Sequence, residues 1–400
     1  MIYTKPSTFH YRIAQVVSWF VSTFIFKRKI LRNEIKGKKG AYVVIANHEA
    51  ALDFVNLIGL THRPMTFVIS NSFYSTLPIK NFLNKMGVIP KQQFQTSIKD
   101  MKRIKAVVEA GQPLVIYPAG LMSEDGLSTP IPAATYKFLK WLDTDVYVAK
   151  VSGTYFAMPK WSKKLHPGKT NIDVYKLFSK EELENADIST VKELTNDALL
   201  FDAYRDQETL RYKYAKGTSV EGLENVLYMC PHCKSEFSIE LKDSSTLRCS
   251  KCGFEEKSDE YGFLHKTAGA GEEIRYVSDW SRIIYDTYKK ELEADSSASL
   301  FSETDIHIIA NDKNKFCKAG HGTVSLSKNG FTVKGTLNGE PIDLSVPITI
   351  IPALPFSPGK HLEIQQGEKI YRCVLADGKL VMKFINMVKI FYELSSNVHI

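Results

Sequence analysis

His48 and Asp53 are separated by four residues, a spacing that permits acid–base chemistry only on the right backbone. Five residues of ideal helix turn by about 500°, so positions i and i+5 point about 140° apart. The two side chains meet when His48 lies in a loop and Asp53 on the first turns of a following helix. A carboxylate beside an imidazole fixes its tautomer and favours the protonated form, which makes the ring a better general base. By itself, H-x4-D is more often a capping His and an Asp on a solvated face. A second group is sharper. Cys230, Cys233, Cys249 and Cys252 form C-x2-C-x15-C-x2-C. Each knuckle curls so that two thiolates reach one tetrahedral ion, and this spacing reads as zinc. No fifth ligand position is evident, so the ion is expected to be structural. Gly253 after the last Cys permits the tight turn.

The residues around His48 supply the backbone the pair needs. Residues 41–46 (AYVVIA) are too short for a helix and rich in Val and Ile, which reads as a buried strand. Asn47 ends it, and the apolar residues 50–60 read as the next helix. His48 then stands at the C-terminal end of a strand, where open α/β sheets place their chemistry. Further strand-like runs lie at 65–70, 113–117 and 146–151, with a helical stretch at 97–110. Strands alternating with helices indicate an α/β domain.

With these elements in place, Asn47-His48-x4-Asp53 resembles the first signature block of the glycerolipid acyltransferases, the lysophosphatidate acyltransferase type. The resemblance implies that His48 activates a hydroxyl for attack on an acyl thioester, that Asp53 supports it, and that Asn47 contacts substrate. Gly87-Val-Ile-Pro-Lys91 stands where that family has a basic residue for the acceptor's phosphate, with Lys91 as the matching cation. Lys offers a point charge where Arg would grip with two donors. Tyr117, Pro118, Gly120 and Ser123 fit the third block and would bind substrate. Its usual Glu is Ala119 here, and Leu121-Met122 replace a Thr-Arg pair. Residues 146–155, ending Ser152-Gly153-Thr154-Tyr155, occupy the place of the fourth block. Backbone donors near the third-block turn are expected to hold the oxyanion. The resemblance covers about half the chain.

The remaining sequence divides by composition. Residues 1–32 hold an apolar, aromatic run (13–26) flanked by Arg12 and Lys27-Arg28-Lys29. The run is shorter than the roughly 20 residues of a spanning helix, and fits an interfacial one; packing on a soluble core is the alternative. The acyltransferase domain, a mixed sheet flanked by helices, is expected over 33–215, with polar helix at 180–214 and a connector from 216. A zinc ribbon follows over 216–265, then a helix (279–293) and linker to 299. From 300, short strands separated by Lys-Asn-Gly, Leu-Asn-Gly, Gln-Gly and Asp-Gly turns precede a helical stretch at 380–394. About seven strands and a terminal helix resemble a pleckstrin-homology-like barrel.

The chain is 44% apolar, with 52 basic and 44 acidic residues and a net charge of +8. That excess suits phosphate groups or membrane surfaces. Glu236, Glu240, Asp243, Glu255 and Glu256 crowd the ribbon, which argues against nucleic acid there. Paired C-x-x-C without a secretory signal reads as reduced and cytosolic. The expected function is a peripheral enzyme on the cytoplasmic membrane face. It would pass an acyl group from acyl-carrier protein or acyl-CoA to a lysophospholipid, most simply 1-acylglycerol-3-phosphate to phosphatidate, without a catalytic cofactor. A lipid-binding scaffold and an acceptor lacking phosphate are the rival readings.

Overall fold

The computed structural model describes residues 4–93, 97–215, 219–310, 314–367 and 369–396. The connector expected at 216–218 lies outside them. The chain separates into two units, Met1–Lys160 with Lys164–Gly217, and Trp161–Lys163 with Thr218–Ile400.

The first unit is built on seven strands: β1 (Lys29–Asn33), β2 (Tyr42–Ala46), β3 (Thr66–Ser70), β4 (Ile89–Lys91), β5 (Pro113–Ile116), β6 (Val146–Ser152) and β7 (Asn171–Phe178). Their order is β1-β7-β6-β2-β5-β3-β4. β6 and β7 are antiparallel and every other neighbouring pair is parallel. The sheet is therefore mixed, as expected. Its helices are α1 (Thr8–Phe20), α2 (Asp53–Ile58), α3 (Asn71–Thr76), α4 (Lys80–Lys85), α5 (Ile98–Glu109), α6 (Ala134–Leu142), α7 (Thr154–Ala157), α8 (Lys180–Asn185), α9 (Ile188–Leu199) and α10 (Ala203–Leu210).

β2 lies inside this sheet, and all five of its residues are buried. Tyr42, Val44 and Ala46 enter one core with Tyr11, Leu57 and Val151, whereas Val43 and Ile45 enter the other with Ile104, Val107 and Leu139. The period of two explains why this strand reads as a continuous apolar run. Each fully buried Val or Ile contributes about 1.5–3 kcal/mol, so the strand carrying His48 at its end is among the best-anchored elements.

α1 packs and projects at once. Tyr11, Ala14 and Ser18 are buried. Ser18 Oγ donates to Val55 O at 2.5 Å, Gln15 Nε2 to Thr61 O at 2.7 Å, and Arg28 Nη1 to Asn56 O at 2.7 Å. Two of these bonds hold the backbone of α2 itself. On the other side Phe9, Val16, Val17, Trp19, Phe20 and Phe24 are each more than half exposed. No described helix is long and apolar enough to cross a membrane.

In the second unit β8 (Ile239–Asp243), β9 (Thr246–Cys249), β10 (Glu255–Ser258) and β11 (Leu264–Ala268) form an antiparallel sheet. After α11 (Val277–Ala294) come β12 (Leu300–Ala310), β13 (Lys315–Ser327), β14 (Gly330–Leu337), β15 (Glu340–Pro347), β16 (Phe356–Ser357), β17 (His361–Gln366) and β18 (Lys369–Leu375), then α12 (Leu380–Ser396). The strand order is β15-β14-β13-β12-β18-β17-β16. Among the described residues no β15–β16 pair closes this order, so the expected barrel is seen as an antiparallel sheet followed by a helix. Asn338-Gly339 turns β14 into β15, with φ of 52° and 86°, the left-handed pair that a two-residue hairpin demands.

Candidate active site

β2 ends at Ala46, and α2 begins at Asp53. The loop between them turns His48 back over the first turn of α2, and His48 Nδ1 lies 3.0 Å from Asp53 Oδ2. Asp53 is fully buried, and the His48 side chain is 20% exposed. The imidazole is thus the open end of the pair. With Nδ1 facing the carboxylate, Nε2 is the nitrogen left for proton transfer. Asp53 is held on both oxygens. Oδ2 also accepts from Ala50 N–H at 2.9 Å, and Oδ1 accepts from Thr154 Oγ1 at 2.6 Å. Hydrogen bonds to an anion offset the cost of burying it.

Tyr117 closes one side. Its ring lies against His48, with centroids 4.4 Å apart. Its hydroxyl is enclosed without a hydrogen-bond partner among the described residues. Burial pushes its pKa well up, and the Asp53 charge adds to that. Pro118 and Gly120 form the next turn, with Gly120 N–H donating to Tyr117 O at 3.0 Å and a Gly120 φ of 71°.

Two expected substrate contacts have other partners. Asn47 is buried; its Nδ2 donates to Val151 O and its Oδ1 accepts from Val151 N–H, both at 2.7 Å. Its amide extends the β2–β6 ladder by one rung and so fixes the loop. Ser123 is fully buried. Its hydroxyl donates to Leu127 O at 2.7 Å and accepts from Gly126 N–H at 2.9 Å, and its N–H donates to His48 O at 3.0 Å. Ser123 therefore joins the third-block turn to the His48 loop. The N–H groups of Gly120 and Ser123, in the turn from which oxyanion donors are expected, are both engaged within the fold.

Lys91 ends β4, three strands from β2 along the sheet and at the same C-terminal edge. At ordinary strand spacing this is about 14 Å. Its Nζ donates to Gln92 O at 2.9 Å. Burial pulls its pKa down while Asp100 opposes that.

Three residues hold places at the site for which the sequence assigned them no role. Gln93 spans the second and third blocks, accepting from Ser70 Oγ at 3.0 Å and donating through Nε2 to Gly120 O at 2.5 Å. Thr154 supports Asp53 from α7. Gly153 before it has a φ of 90°, and a Cβ there would stand 2.7 Å from Lys169 O. Only glycine fits, and that glycine was the available signal for a functional turn. Glu49, fully buried, accepts at Oε2 from Tyr155 N–H at 2.9 Å and lies 3.0 Å from Thr154 Oγ1.

The second unit holds a separate cluster. The thiol sulfurs of Cys230, Cys233, Cys249 and Cys252 all lie within 4.8 Å of one another. Cys230–Cys252 and Cys233–Cys249 are each 3.7 Å apart. A tetrahedral ion with Zn–S bonds of about 2.3 Å separates its sulfurs by about 3.8 Å, so the cluster suits such an ion. Lys234 and Gly253, which follow the two knuckles, have φ of 59° and 72°. Both knuckles close with the same left-handed step.

Residues 23–169 match the family model described as Acyltransferase. The His48–Asp53 loop lies within the matched segment, so the part of the chain that holds the pair is similar to that family. Among solved structures, the crystal structure of the 1-acyl-sn-glycerophosphate (LPA) acyltransferase PlsC from Thermotoga maritima is similar at 15% identity. That likeness covers 50% of this chain and 79% of that one, with a TM-score of 0.43. No curated protein matches the sequence.

Proposed function

We propose that this protein is a membrane-associated O-acyltransferase that acylates a glycerolipid hydroxyl from an acyl thioester. The observation that carries the reading is the 3.0 Å contact of His48 Nδ1 with buried Asp53, at a strand end inside the acyltransferase-matched segment. His48 Nε2 takes the proton of the acceptor hydroxyl. The oxygen attacks the thioester carbonyl, Asp53 balances the imidazolium, and the C–S bond breaks. The leaving thiolate takes the proton from His48, giving an ester and a free thiol of CoA or acyl-carrier protein. In the simplest case the acceptor is 1-acylglycerol-3-phosphate, with Lys91 meeting its phosphate.

A second reading is favoured by the third-block turn. Ala119 supplies no charge there, and the neutral amide of Gln93 reaches that turn. An acceptor without phosphate fits such a neutral wall better. Thioester consumption measured against phosphorylated and unphosphorylated monoacylglycerol acceptors decides. Turnover only with the phosphorylated acceptor supports the first reading, turnover only with the neutral one supports the second, and no turnover with either sinks both.

For membrane attachment, the outward face of α1 with Arg12, Lys27 and Lys29 exposed beside it suits an anionic lipid surface at the cytoplasmic face. Because the inward face holds α2, the useful variant keeps that face. Trp19→Ala, Phe20→Ala and Phe24→Ala together are expected to weaken binding to anionic vesicles by at least about tenfold, with melting unchanged. Vesicle flotation equal to wild type would make the face a bystander. For the cysteine cluster the proposed ion is zinc, in a structural role.

A further inference from the structure

Thr154 has one hydroxyl proton and two carboxylate oxygens to satisfy. Its Oγ1 lies 2.6 Å from Asp53 Oδ1 and 3.0 Å from Glu49 Oε2. A threonine hydroxyl donates once, and an ionised carboxylate only accepts. With both carboxylates ionised, one of these buried contacts would be oxygen against oxygen with no proton between. The shorter contact, to Asp53, takes the threonine proton. The longer one then needs a proton from Glu49.

The surroundings assign the charge the same way. Asp53 receives Ala50 N–H, His48 Nδ1 and Thr154. Glu49 receives only Tyr155 N–H in addition to the Thr154 contact, and its Oε1 is enclosed without a partner among the described residues. A buried anion with a bare oxygen is far costlier than a neutral acid with one.

We propose that Glu49 is held as the neutral acid and positions the site: its Oε2–H donates to Thr154 Oγ1, so that Thr154 donates to Asp53 and Asp53 remains the anion beneath His48. This rests on the His48–Asp53 reading above. Glu49 touches neither substrate nor His48 in this account; it acts through Thr154 as a positioning residue.

The titratable groups around Glu49 are Asp53 on α2, His48 in the loop before it, Asp206 on α10, and Tyr155 and Tyr214. Burial raises the Glu49 pKa to about 8, and the charges of Asp53 and Asp206 push the same way, against the hydrogen bonds from Tyr155 and Thr154. Glu49 is therefore neutral below about pH 8 and ionises above it. Ionisation puts a second negative charge beside Asp53 and removes the proton that completes the chain, so kcat should fall on that alkaline limb.

The test is infrared difference spectroscopy of the full-length protein, read with and without Glu49→Gln. The wild type should show the carbonyl stretch of a buried carboxylic acid near neutral pH. It should vanish as pH rises through about 8 and be missing from the Gln variant. In turnover assays the Gln variant, in which no single atom both accepts Tyr155 N–H and donates to Thr154 as Oε2–H does, should lose kcat by about tenfold at neutral pH. KM should hold, and the alkaline limb should disappear. Should that variant not fold, Thr154→Val serves: the acid band should shift upward in frequency on losing its acceptor, without vanishing. Wild type with no such band at neutral pH, or a Gln variant with an unchanged alkaline limb, would overturn the proposal. The spectrum needs no substrate. A failed band therefore overturns the role of Glu49 alone, whereas transfer that survives loss of His48 overturns the function and leaves the protonation state standing.

Discussion

His48→Ala is expected to lower acyl transfer by about 10²- to 10⁴-fold, the usual contribution of a general base. The geometry makes this variant clean. The imidazole is partly exposed, and its hydrogen bond goes to Asp53. Removing the ring leaves Asp53 with Ala50 N–H and Thr154 Oγ1. The melting temperature should therefore stay close to wild type, because no buried charge is stripped of all its partners. Asp53→Ala is the contrasting variant. It removes a fully buried carboxylate, leaves Ala50 N–H and the Thr154 hydroxyl without their acceptor, and should cost both activity and stability. Measuring turnover beside thermal denaturation separates the two effects. If His48→Ala retained turnover within a few-fold of the parent, the acyl-transfer mechanism would have to be abandoned.

Removing the metal should have the largest structural effect. Structural zinc sites contribute about 10–16 kcal/mol of binding free energy near pH 7, and that energy is folding energy. Here Cys249 ends β9 of a small four-stranded sheet. The knuckles are tied to their surroundings: Trp280 Nε1 donates to Met229 O at 2.8 Å, Lys383 Nζ reaches Glu236 at 2.8 Å, and Asn386 Nδ2 donates to Tyr228 OH at 3.2 Å. These bonds come from α11 and α12, so loss of the ion should loosen both helices along with β8–β11. Chelation, or Cys230→Ser with Cys249→Ser, should raise amide exchange throughout residues 225–294 and 380–396 and leave β2, β5 and β6 protected. Metal analysis should return one zinc per chain. Freshly purified protein with four titratable thiols and no metal would remove this account, as would unchanged exchange after chelation.

Much of the site was legible because its backbone is local. The run 41–46 announces a strand, and H-x4-D can close only across a strand-loop-helix junction; both are found. What the sequence concealed depends on distant partners. Asn47 reads as a polar group at a strand end, and nothing within ten residues of it says that Val151 takes both ends of its amide. Ser123 likewise reads as available until Leu127, Gly126 and the His48 carbonyl are brought around it. Glu49 stands beside His48 in the sequence yet is buried, because α7 arrives from a hundred residues downstream to cover it. The edge strand β1 and its neighbour β7 were missed for a related reason. β1 is largely exposed and carries Lys29, Arg32 and Asn33, so it lacks the apolar signature of a strand and gains its state from its neighbour. The terminal sheet was legible from its Asn-Gly turns, but turn chemistry fixes hairpins and not whether the ends of a sheet meet.

The pairing of β1 with β7 also orders events in time. Arg32 and Asp173, which face each other across that pair with two hydrogen bonds, are 141 residues apart. Contacts so distant in sequence form late, because the loop between them must first be closed. On a chain emerging from the ribosome, β1 has no sheet partner until β7 has been made. The exposed apolar helix just ahead of β1 is thus presented for the entire synthesis of the domain before its neighbouring strand is captured. A surface that takes up that helix in the interval holds the nascent chain by α1, and the sheet then closes on a helix already in place.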